Sequence, residues 1–211
     1  MPNKLIIIGG ASGSGKSTLA KYLAEELGAD IVSGDRFYKS KPDDVDAADY
    51  NFDSPNALDY DLMIKFIKKY LDAPVGEVMF PPVYDFHTHK RIDESIMIVK
   101  PILILEGILL LNNKELRDLA DWKIFVHTDL DECLARRIER DIAERGRDVK
   151  GVLLQWRKFV KPACEEFIEP HMTDADTIVP NKHSITEMIE HDLVKDLLTL
   201  VKKHISKGRR M

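Results

Sequence analysis

Gly10-Ala11-Ser12-Gly13-Ser14-Gly15-Lys16-Ser17 is the stretch on which the fold turns. Its spacing, G-x-x-x-x-G-K-[ST], is that of a backbone loop that wraps a polyphosphate. Immediately before it, Leu5-Ile6-Ile7-Ile8 is a continuous apolar run, the pattern of a strand covered on both faces. Immediately after it, Leu19, Leu23 and Leu27 recur at helical spacing until Gly28 supplies a stop. Strand, loop and helix therefore stand in the required order, which separates this loop from a chance glycine-serine run. Its N–H groups, from Gly10 to Ser17 and on to Thr18, are expected to converge on phosphate oxygens, reinforced by the positive end of the new helix. Lys16 is a compact cation for the outer phosphates, and the Ser17 hydroxyl is placed to ligate Mg2+.

The chain has 211 residues and is expected to form one domain over 1–211, large enough for a core without disulfides. Its formal charge of −5 argues against a general nucleic-acid binder, so anionic ligands must be met by local clusters. Cys133 and Cys164 are far apart and lack metal-ligand spacing, which fits a reducing, cytoplasmic location. No apolar run approaches the ~20 residues of a membrane span, and the first residues lead directly into a strand rather than a signal segment. No membrane association is expected.

Further short strand patterns occur at Asp30-Ile31-Val32, Ile102 to Leu105, Lys123 to Val126 and Thr177-Ile178-Val179, with helical patterns near 16–27, 57–71, 113–120, 130–144, 149–168 and 184–204. That alternation predicts a doubly wound, mostly parallel α/β sheet with helices on both faces. Two regions break the rhythm. Lys39 to Tyr50 is polar and aspartate-rich and reads as a surface loop or flap. Val78 to Val99 has Pro81-Pro82, an aromatic-histidine cluster and a β-rich end, which predicts a hairpin excursion carrying acceptor specificity.

Asp35 follows the second strand, at the carboxyl edge where open α/β sheets bind ligands. It is a candidate general base for phosphoryl transfer to an alcohol, with a turn-capping Asp as the alternative. Glu106 ends the Ile102 to Leu105 strand and suits the shell of a Mg2+ shared with Ser17, unless it is a structural acid. Arg137, Arg140, Arg145 and Arg147 lie along a helix whose expected buried stripe is Leu134, Ile138 and Ile142, and in the loop at Gly146. They read either as a solvated charged face or as a lid over about 137–155 that closes positive charge on a transferring phosphate, with Arg140 and Arg145 catalytic. The phosphate loop favours the lid.

Beyond the loop the chain carries, in order, Asp35-Arg36-Phe37-Tyr38-Lys39, Asn51-Phe52-Asp53-Ser54-Pro55, Tyr84 to Arg91, Glu106-Gly107-Ile108-Leu109, Arg140 to Asp148, Phe159 to Ala163 and Ala175 to Pro180. Together these resemble uridine (uridine–cytidine) kinases, P-loop kinases, over roughly residues 4–180. The Tyr84 to Arg91 block is the most specific, whereas the loop and Glu-Gly-Ile-Leu are shared with relatives such as phosphoribulokinase. The resemblance implies ATP with Mg2+ as donor and phosphorylation of the 5′-hydroxyl of uridine and cytidine. By the same token Asp35 would be the base and Asp53 with Arg137 would hold the ribose hydroxyls, while Tyr84, Phe86, His89, Arg147 and Gln155 would shape the base pocket. His87-Thr88-His89 lacks a third ligand for zinc. Ser54 stands where the family has His, the segment between Tyr38 and Asn51 is short, and Asn181 to Ser184 lacks an acidic residue that some members place near adenine. The resemblance also implies a homo-oligomer, a tetramer in many members. No further domain is expected after the last amphipathic helix and the basic tail from Lys202 to Arg210. Two rivals stay open: a related kinase acting on a phosphorylated sugar or a pantothenate-like alcohol, and an ATP-dependent switch.

Overall fold

The computed structural model describes residues 2–47, 49–182, 188–189 and 192–206. A parallel five-stranded sheet in the order β2-β7-β1-β8-β9 forms its centre. The strands are β1 (Lys4–Gly10), β2 (Asp30–Ser33), β7 (Ile102–Glu106), β8 (Trp122–His127) and β9 (Thr177–Pro180). The helices are α1 (Lys16–Leu27), α2 (Tyr60–Asp72), α3 (Lys114–Leu119), α4 (Leu130–Arg145), α5 (Val149–Gln155), α6 (Lys161–Ala163) and α7 (Asp192–Ser206). β1 is flanked by β7 and β8, so the phosphate loop emerges in mid-sheet at the carboxyl edge.

The continuous apolar run of β1 is explained by its two covered faces. Leu5 and Ile7 join a core built with Met63, Ile67 and Tyr70 of α2, while Ile6 and Ile8 join a second core with Leu19 and Leu23 of α1 and Val194, Leu197 and Val201 of α7. Each face removes its alternate side chains from water, which is the main favourable contribution to such a sheet. The sequence pattern starts α2 at 57, but Pro55–Ala57 forms a 3-10 turn and the Asp59 carboxylate caps the helix by accepting from Leu62 N at 3.1 Å.

Residues 78–99 form nested antiparallel pairs, as the sequence suggests. β3 (Val78–Met79) pairs with β6 (Met97–Ile98), and β4 (Pro82–Asp85) pairs with β5 (Lys90–Glu94). The loop from Lys39 to Tyr50 contains no helix or strand among its described residues. It is fastened to the hairpin tip by Lys41 N donating to His89 O at 2.9 Å and by the Lys90 to Asp43 ion pair at 2.8 Å. The helical pattern over 149–168 is borne out in extent but not in form, because Trp156–Val160 and Cys164–Ile168 are π-helical on either side of α6. Pro162 in that stretch has no N–H to donate, and wide turns accommodate the interruption. Of the last helix, the part over 184–187 and 190–191 lies outside the described residues, as do 207–210 of the basic tail and His183 and Ser184.

One expectation is overturned. The buried line of α4 is Cys133, Arg137 and Asp141, whereas Leu134 and Ile138 are half-buried and Ile142 is 43% exposed. Periodicity of apolar residues picks the wrong face because the face over the phosphate loop is charged.

Candidate active site

The phosphate loop is shaped from three sides. The Lys16 ammonium donates to Ala11 O at 2.7 Å, and burial lowers its pKa, opposed by the charges of Glu106 and Asp35. The carbonyl of Ser14 accepts from Thr128 Oγ1 at 3.0 Å and from Asn181 Nδ2 at 2.8 Å. Gly13 has φ +88, and a Cβ there would strike the backbone carbonyl of Cys133 at the start of α4. Gly10, Ala11 and Ser14 set the loop's form, while Ser12, Gly13, Gly15, Lys16, Ser17 and Thr18 line the cleft it opens into.

That cleft has a volume of about 720 Å3 and brings the remaining sequence-predicted site residues together. At its floor the Ser17 hydroxyl donates to Glu106 Oε2 at 3.1 Å. Asp35 lies on the 3-10 turn Gly34–Phe37, and the capping group there is Ser33, whose Oγ accepts from Asp35 N at 3.3 Å. The carboxylate of Asp35 is therefore not spent on the cap. Burial, and then the neighbouring Glu106 charge, push its pKa up to about 6 against the pull of Arg145, Lys16 and Arg140.

The other half of the cleft is aromatic. Tyr84 stands 5.5 Å from Tyr38 and 5.4 Å from Phe86 between ring centroids, and Phe52 packs on His89 at 4.8 Å. Tyr84 Oη is buried with no hydrogen-bond partner among the described residues, and burial pushes its pKa up to about 12. Burial, and then the charges of Arg147 and Lys41, lower the pKa of His89 below the ordinary imidazole range. Asp53 is buried, and desolvation raises its pKa against the attraction of Arg137 and Arg147. A planar ring with a polar edge fits this lining of aromatic faces, an imidazole, an unpaired hydroxyl and a carboxylate.

The four arginines overhang both halves. Arg137 Nη1 donates to Ser12 Oγ in the phosphate loop at 2.9 Å, the Arg145 guanidinium lies 5.1 Å from the centre of the Phe86 ring, and Arg147 Nη1 donates to Gln155 Oε1 at 2.5 Å. All four are paired with Asp141, which is fully buried: Arg140 Nη2 at 2.8 Å, Arg147 Nη1 at 3.4 Å, Arg145 Nη1 at 3.5 Å and Arg137 Nε at 3.6 Å. Sequence reasoning passed over Asp141 as one more charge on a solvated helix, although its i±4 spacing to Arg137 and Arg145 marks it. It also passed over Tyr38, Tyr50, Phe52, Arg136 and Phe159, which line the cleft. Tyr38 and Phe52 sit inside motifs already singled out beside Asp35 and Asp53.

The model of the phosphoribulokinase/uridine kinase family matches residues 5–186. The chain belongs to that family. Among family relatives, uridine-cytidine kinase A of Dictyostelium discoideum is 45% identical over 185 residues, covering 85% of this chain and 36% of its own length. Uridine kinase of Ligilactobacillus salivarius is 40% identical over 215 residues, covering 98% of this chain and 97% of its own. The chain spans only 34–40% of the length of the Dictyostelium, mouse and yeast relatives that it matches. The family fold is seen again in phosphoribulokinase from Rhodobacter spheroides, with a TM-score of 0.61 at 18% identity over 90% of this chain and 75% of the other. Among the described residues, no helix is long and apolar enough to cross a membrane.

Proposed function

We propose that the chain transfers the γ-phosphoryl group of ATP to the 5′-hydroxyl of uridine and cytidine, giving the nucleoside monophosphates. The observation that carries this reading is one cleft in which a phosphate loop and a carboxylate poised near neutrality meet an aromatic pocket with an unpaired tyrosine hydroxyl. The near full-length similarity to a uridine kinase supports it. A phosphorylated sugar would not use the ring stack of Tyr38, Tyr84, Phe86, Phe52 and His89.

In this reading the nucleoside lies against Tyr84 and Phe86 with its ribose toward Asp53 and Arg137. Asp35 orients the 5′-hydroxyl and accepts its proton as the oxygen attacks phosphorus. Lys16, Arg140 and Arg145 neutralise charge spreading over the γ-phosphoryl oxygens, and the overhanging guanidinium groups keep out water that would hydrolyse the donor. The paired oxygens of Ser17 and Glu106 suit a hard cation and would hold Mg2+. When bound, Mg2+ would supply charge neutralisation to the phosphates.

Purified protein with ATP and Mg2+, offered a panel of nucleosides and sugar alcohols and read by product mass, is expected to form UMP and CMP. Phosphorylation of another acceptor in their place, or acceptor-independent ATP hydrolysis alone, overturns the proposal.

A further inference from the structure

Four guanidinium groups within reach of one another repel, and without a counter-charge each would turn toward water. In this fold the repulsion is answered from inside. Asp141 lies on the buried line of α4 with no exposed surface, and its two oxygens are divided among the four arginines, Oδ1 to Arg140 and Arg145 and Oδ2 to Arg137 and Arg147. Its main chain takes part as well: Asp141 O accepts from Arg147 N at 3.1 Å and from the N–H of Gly146, so the carbonyl that ends the helix also fixes the loop carrying Arg147. The arginines then reach four different places. Arg137 contacts Ser12 of the phosphate loop, Arg145 the Phe86 ring, Arg147 the Gln155 amide, and Arg140 stays on the carboxylate through two of its nitrogens.

We propose that Asp141 is the positioning residue of the lid, a buried anion that touches neither substrate but holds the donor-side and acceptor-side arginines in one fan, so that both halves of the cleft depend on it. This rests on the kinase reading for the acceptor half only; the donor half stands on the phosphate loop. A carboxylate that merely stabilised α4 would affect folding and leave the two affinities alone. One that sets the fan affects both, because a guanidinium released from it loses its aim at phosphate or nucleoside.

The test compares wild type with Asp141→Asn, which keeps the shape and removes the charge, and Asp141→Glu, which returns the charge one methylene farther out. MgATP binding is measured by calorimetry without acceptor, steady-state constants are measured with uridine, and thermal unfolding reports on the fold. Asp141→Asn is expected to weaken ATP binding and raise the uridine KM by about tenfold each, and to lower kcat by a further factor of about ten or more. Asp141→Glu is expected to recover part of the ATP affinity. Unchanged ATP binding in a folded Asp141→Asn protein overturns the inference, as does equal loss in the Asn and Glu variants. If neither variant folds, Arg147→Met decides: with Asp141 as the shared anchor it weakens ATP binding as well as the acceptor KM, and an effect confined to the acceptor overturns the inference. A wild type inactive on uridine would sink the kinase reading yet leave the ATP-binding comparison to judge Asp141.

Discussion

At the scale of single residues, burial and the nearby Glu106 carboxylate push Asp35 up to about 6, so its proton-accepting form is held against the preference of its surroundings. In the window between the ordinary carboxylate range and about 6, the folded protein binds this proton more tightly than the unfolded chain does. Stability tied to Asp35 therefore falls as pH rises through that window. Asp35→Asn is expected to raise the Tm by about 2–4 °C at pH 7.5, corresponding to ~1 kcal/mol, with the gain over wild type shrinking as pH falls toward 4. The same change should lower turnover by about 10²–10⁴ while the KM for ATP stays within about threefold. In wild type, the acid limb of kcat/KM is expected near pH 6, and a profile flat from pH 5 to 8 would remove Asp35 from the role of base. The placement of Asp35 at the carboxyl edge of the sheet was legible in the sequence because it directly follows a strand pattern. Asp141 was not, because nothing in a run of alternating charges tells which one faces inward.

At the scale of elements, α4 and the phosphate loop are in backbone contact. Gly13 is one of the variable positions of the motif, yet it has φ +88 and no room for a Cβ beneath the Cys133 carbonyl. Gly13→Ala is expected to cost about 2–4 kcal/mol through strain and displacement of α4, lowering the Tm by roughly 10 °C and weakening ATP binding in parallel. A variant with wild-type Tm and ATP affinity would show that the contact can relax without consequence. The parallel strands, α1 and the hairpin excursion were readable because their apolar spacing reports burial on known faces. The inward face of α4 was misread for the reason that also makes it useful, since a helix laid across an anion site buries guanidinium groups where a core helix buries leucines. The π-helical turns around α6 were not readable either, because a wide turn leaves no periodic signature in the sequence.

At the scale of the whole molecule, strand order is the part of the fold that local pattern could not supply. β1 pairs with residues 102–106 on one side and 122–126 on the other, and only chain closure over those distances decides the neighbours. The same long reach completes the cleft, since Ser14 O is held by Thr128 of the β8 exit and by Asn181 just after β9. Asn181→Ala removes one of these two donors and is expected to weaken ATP binding by about three- to tenfold and to cost ~1–2 kcal/mol in unfolding, with the uridine KM unaffected. A rise in the uridine KM alone would contradict that assignment. The phosphate motif is thus translated well before Asn181, which helps to shape it from just past the edge strand of the sheet. A nascent chain that has not yet delivered residue 181 to solvent carries the signature without its finished receptor, and nucleotide capture during synthesis becomes a sign that the sheet has closed.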